Sequence, residues 1–85
     1  MADYKKIIST VLVNIRKRRG ELGYSQEYMA LKLHISQNSY SKLELGITKL
    51  TVQKFLEISE LLQVLPSSLT NDTNYVNEIR HQSKG

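Results

Sequence analysis

Cysteine is absent from this chain, which excludes a disulfide framework and any thiolate metal site. That absence suits a reducing, cytoplasmic setting. Histidine is scarce as well. His34 and His81 stand far apart, so no paired-histidine metal motif can be assembled. There is no glycine-rich phosphate loop and no nucleophile elbow, and the serines form no recognisable relay. These gaps argue against an enzyme and against a bound cofactor or metal. No apolar run approaches the length of a membrane span. The run at residues 7–13 follows Lys5 and Lys6, but Ser9 and Thr10 interrupt it and no small-residue cleavage site follows. It does not read as a signal peptide. Asn71-Asp72-Thr73 matches a glycosylation triplet, though no secretion signal accompanies it.

What is present fits one small domain of 85 residues, near the size where a single core gives only modest stability. The net charge of +4 is unevenly spread, with the whole excess carried by residues 1–24. Arg16-Lys17-Arg18-Arg19 concentrates it just ahead of the most patterned stretch, residues 25–46. Ser25 and Ser36 are both good helix N-caps. Each has an apolar residue before it and a large one four residues after it: Tyr24 and Met29, then Ile35 and Tyr40. That arrangement is the hydrophobic staple, which sets the angle at which a chain enters a helix. Two short helices so closely joined read as a helix-turn-helix. Beside such a motif the basic cluster points to phosphate contact.

Ser25-Gln26-Glu27, Met29-Ala30, Leu33, Ile35-Ser36-Gln37, Tyr40-Ser41-Lys42 and Glu44-x-Gly46 resemble the Cro/repressor-type helix-turn-helix family, also called XRE-like or lambda-repressor-like. The likeness extends less tightly over residues 15–69. It implies an all-α, compact five-helix bundle whose third helix enters the DNA major groove, usually as a dimer on a two-fold operator.

The remaining pattern is helical. Residues 4–22 form a first helix, with Ile8, Leu12, Ile15, Arg19 and Leu22 on one face and Gly23 ending it. Ile7, Val11 and Val13 fall on a second face, available to solvent or to a subunit contact. In the second helix Met29, Ala30 and Leu33 face inward. His34 takes a turn position where the family usually has glycine, and histidine is among the few residues that tolerate a left-handed backbone. The third helix spans 37–45. At about 100° per residue, Tyr40 and Leu43 point inward while Gln37, Asn38, Ser41, Lys42 and Leu45 point outward. A fourth helix opens at Leu50-Thr51, with Val52, Phe55, Leu56, Ile58 and Leu62 as a broad apolar face. Pro66 fits the first turn of a short fifth helix ending at Leu69, although Leu65 replaces the usual polar cap. The domain therefore reads as residues 1–69. Residues 70–85 form a polar tail, a turn or two of helix or no fixed structure, with Tyr75, Val76 and Ile79 as its apolar side chains.

The resemblance also implies roles. Ser36, Gln37, Asn38 and Lys42 occupy base-reading positions, where paired amides suit adenine and an ammonium suits guanine. Gln26, at a helix N-terminus that favours an anion, occupies a phosphate-anchoring position. Ser41, Thr48 and Lys49, with Arg16 and Arg19 from the basic cluster, complete the expected backbone contacts. Arg19 and Glu44 stand where some family members pair the first and third helices. The expected function is a double-stranded DNA-binding transcriptional regulator acting as a homodimer. The alternative is an antitoxin-like or adaptor protein that binds a protein partner through Leu31, Ile47 and the tail.

Overall fold

The computed structural model describes residues 3–71, and they form four α-helices and one 3-10 helix. The helices are α1 (Tyr4–Glu21), α2 (Gln26–Leu33), α3 (Gln37–Glu44) and α4 (Val52–Leu61), followed by the 3-10 helix Pro66–Thr70. Tyr75, Val76, Ile79 and His81 lie outside the described residues, as does most of the expected tail.

Each α-helix starts on a side chain suited to capping. Asp3, Ser25, Ser36 and Thr51 accept from the backbone N–H groups of Lys5, Tyr28, Ser39 and Lys54 respectively. The core gathers Val11, Leu12 and Ile15 of α1, Met29, Ala30 and Leu33 of α2, Tyr40 of α3, and Ile58, Leu62 and Leu69. α2 and α3 pack closely on each other, and the 3-10 helix lies along α1. Asn14 ties that last contact, donating through Nδ2 to the carbonyls of Leu69 and Asn71 at 2.9 and 2.8 Å.

Three expectations are corrected. The fifth helix is a 3-10 turn, held by a bond from the Ser68 N–H to the Leu65 carbonyl and lacking any side-chain cap. Five residues behind an apolar Leu65 are too few to sustain an α-helix, and Leu69 still reaches the core. On α1 the buried face runs through Val11 rather than Ile8, because the first two turns border an open hollow beside the start of α4, which leaves Tyr4 and Ile8 exposed. On α4 the inward set is Ile58, Ser59 and Leu62, while Val52 and Leu56 face outward. Ser59 satisfies its hydroxyl locally by donating to the Phe55 carbonyl at 2.8 Å.

The turns set the angles between helices. His34 sits at φ 59°, ψ 40°, the left-handed conformation expected for it, and the Ile35 N–H reaches back to the Ala30 carbonyl at 3.0 Å. Gly46, at φ 79°, ends α3 where a Cβ would lie 3.1 Å from Leu12 Cδ1, so both backbone and space call for glycine. The sequence carried no hint that Gln63 also adopts φ 59° after α4. His34→Gly and Gln63→Gly are each expected to raise the unfolding free energy by up to about 1 kcal/mol. Relief of a left-handed backbone contributes about 1–2 kcal/mol, and the freer unfolded chain takes back up to about 1 kcal/mol. Urea denaturation measures the net change. A loss of stability would mean that the imidazole or amide makes a contact worth more than the strain.

Candidate nucleic-acid interface

Glu44 closes the last turn of α3 with its side chain about 1% exposed. A carboxylate so buried must be compensated. Arg19 of α1 donates from Nε to Oε2 at 2.8 Å and from Nη2 to Oε1 at 3.0 Å, the two-pronged geometry that suits guanidinium and carboxylate. The Tyr40 hydroxyl, one turn earlier on α3, donates to Oε2 at 2.6 Å, and Gln26 Nε2 donates to Oε1 at 3.0 Å. Three side chains, one each from α1, α2 and α3, thus meet on one carboxylate. Burial pushes the Glu44 carboxyl up, but the bonds from Arg19, Tyr40 and Gln26 outweigh it and hold its pKa below the ordinary value. Burial, then the bond to Glu44, drives the Tyr40 phenol well above its usual range. The Arg19 pKa is raised by its bond to Glu44.

Turned away from this cluster, α3 presents Gln37, Asn38 and Lys42 to solvent. Their side chains make no hydrogen bond or ion pair among the described residues. The face is therefore a row of free amides and an ammonium on a helix whose other side is locked to two neighbours. A family model described as helix-turn-helix matches residues 15–69. The chain belongs to the Cro/repressor-type helix-turn-helix family. That is a family of DNA-binding transcription regulators, typically without enzymatic activity. No curated protein and no solved structure matches the chain significantly. Among the described residues no helix is long and apolar enough to cross a membrane.

In this helix-turn-helix protein α2 and α3 are the two helices of the motif, and the other expected site residues fall into two groups. Thr48 and Lys49 are exposed in the loop after α3, and Ser41 is half-buried. Ser36 is exposed, but its hydroxyl already accepts from the Ser39 N–H at 3.0 Å and donates to Ser39 Oγ at 2.9 Å. Gln26 and three members of the basic cluster are engaged within the protein. Arg16 Nη1 donates to the Glu44 carbonyl at 2.7 Å, and Arg18 Nε to the Leu62 carbonyl at 2.9 Å. These two guanidiniums cap the C-terminal ends of α3 and α4, where the helix dipole favours a cation. Arg19 adds a bond from Nη1 to the Tyr24 carbonyl at 3.0 Å, so each of its nitrogens is in use. Lys17 alone of the four makes no such tie. Much of what reads as a phosphate-binding run is internal bracing.

The sequence reading also missed two parts of the site. Tyr40 reads as core from its period, yet its hydroxyl joins the site, and its spacing of four from Glu44 is the helical neighbour distance. Gln26 and Glu44 carry no such signal, since only the folded packing of α2 on α3 brings them together. Leu31 and Ile47 are exposed, as the protein-partner alternative supposed. Exposed apolar side chains of this kind are ordinary and name no partner.

Proposed function

We propose that the chain is a sequence-specific double-stranded DNA-binding transcription regulator that lays α3 in the major groove. The observation that carries this reading is the free polar face of Gln37, Asn38 and Lys42 at the start and middle of α3. A groove-docked recognition helix meets base edges first with its N-terminal residues. Gln37 and Asn38 can each pair in two-pronged fashion with adenine, and Lys42 can donate to guanine. Ser36 lies beside them as a weaker reader because its hydroxyl serves as the cap.

Ser41, Thr48 and Lys49 set the register on the DNA backbone, joined by the other guanidinium nitrogens of exposed Arg16, whose Nη1 stays on the Glu44 carbonyl. Gln26 joins them through its backbone N–H at the α2 N-terminus, leaving its side chain on Glu44. Arg19 braces α3 from behind. One recognition helix covers few base pairs, so the working form is a two-fold dimer on a palindromic site with half-sites about one helical turn apart. No cofactor takes part.

With Arg16, Lys42 and Lys49 near phosphates, each monomer releases roughly three counterions. Log K against log salt should then slope at roughly −3 per monomer and twice that for a dimer. Fluorescence anisotropy with labelled duplex DNA across a salt series measures it. A flat profile from a folded protein would sink the reading.

A further inference from the structure

Between the first turns of α1 and the start of α4 the surface opens into a hollow of about 570 Å³ with predominantly apolar walls. Tyr4, Ile8 and Leu12 come from α1, Val52 and Phe55 from α4, and Thr70 from the end of the 3-10 helix. Tyr4, Ile8 and Val52 are all exposed. This groove explains the two packing corrections above, since Ile8 and Val52 are the residues expected in the core and found outside it. Its apolar lining has no partner among the described residues.

The chain continues from the groove itself. Thr70 is part of the lining, and Asn14 Nδ2 holds the Asn71 carbonyl at 2.8 Å, which anchors on α1 the point where residues 72–85 depart. Those residues carry three apolar side chains, Tyr75, Val76 and Ile79. At about 100° per residue they fall within a single arc of a helix. Asp72, Thr73 and Asn74 directly ahead of them are all good N-caps. A helix of that length is marginal alone in water and needs a surface for its apolar stripe. Tyr75 follows Asn71 by four residues, a reach of up to about 14 Å.

We propose that Tyr75, Val76 and Ile79 of the same chain seat in this groove as a short amphipathic helix. Attachment at the edge gives the segment a local concentration on the order of millimolar, which favours it over the same segment of a second copy. Residues 72–85 carry Asp72 and Glu78 against Arg80 and Lys84, with no net charge, so charge does not oppose docking beside Lys49 in the lining. Thr48 and Lys49 both line the groove, so a seated tail braces the loop assigned above to DNA phosphates. That last consequence rests on the DNA reading, whereas the docking does not.

The test needs no DNA. The chain lacks cysteine, so Gln82→Cys in the full-length protein carries a single nitroxide label. In the nitrogen-15 spectrum, amide signals of Ile8, Leu50 and Val52 should lose intensity relative to the reduced label. The loss should disappear in the same protein bearing Val76→Asp and Ile79→Asp, changes placed outside the packed core. It should also be absent when nitroxide-bearing unlabelled chain is mixed with isotope-labelled chain lacking the nitroxide. Undiminished groove signals, or a loss indifferent to the two aspartates, would overturn the proposal. A loss of equal size in the mixed sample would overturn it too, giving the groove to a second copy.

Discussion

Glu44→Ala is expected to lower the unfolding free energy by about 3 kcal/mol, because it removes one partner of a buried charge pair. Arg19 would keep its charge beside the emptied site, and the Tyr40 hydroxyl, now without an acceptor, sits on a side chain with no solvent exposure. In a domain this small, such a loss is a large fraction of the total. Tyr40→Phe should cost less, about 1–2 kcal/mol, since it removes one donor to a charged acceptor and leaves the ion pair intact. A double-mutant cycle on Arg19 and Glu44 should return a coupling above about 1 kcal/mol, measured by urea unfolding. Additive effects would mean that the pair is held by its surroundings rather than by each other.

The same cluster gives a pH dependence with a definite sign. The folded-state pKa of Glu44 lies below its unfolded value. Its contribution is therefore complete above the ordinary glutamate pKa of about 4.3 and is lost as pH falls through the lower folded value. Glu44→Gln should flatten that part of the acid limb. Tyr40 acts at the other end. Its phenol titrates higher when folded, so stability falls as pH rises past the ordinary tyrosine value of about 10 toward the folded one.

The second large effect separates affinity from stability. Gln37→Ala and Lys42→Ala should each leave Tm nearly unchanged, because both side chains are exposed and no other described residue depends on them. Each should weaken specific DNA by about 1–3 kcal/mol and relax preference at one or two base pairs per half-site. Gln26→Ala should behave differently. It removes the hydrogen bond that the Gln26 side chain donates to Glu44, so Tm falls, while affinity changes little and alike for specific and non-specific duplexes because the backbone N–H that meets the phosphate is kept. Thermal melts beside anisotropy titrations check all three. A fall in Tm for Gln37→Ala matching its fall in affinity would mean that the residue supports the fold rather than the reading.

The legible parts of this protein were those written in local pattern. Ser25, Ser36 and Thr51 announce their helices, and Gly46 announces the end of α3, because capping and left-handed turns depend on a few adjacent residues. The outward face of α3 follows from helical angle alone. Burial on α1 and α4 was harder, since Ile8 and Val52 have the right period but line an open hollow between the two helices. Periodicity gives a face, and only packing shows how far along the helix that face is covered. The basic cluster shows a further limit. Arg16, Arg18 and Arg19 look like a phosphate surface in one dimension, yet each reaches an oxygen 25 to 44 residues away in sequence. The Arg19–Glu44 tie was the exception, visible because the family resemblance supplied it.

Selection of binding sites from random duplex DNA by the full-length protein, repeated with Gln37→Ala, tests the central claim most directly. The account predicts a palindromic site with half-sites about one helical turn apart. In the variant, preference should be lost at the same one or two base pairs in each half. No enriched sequence, or an identical preference from the variant, would contradict the assignment of α3 as the reader.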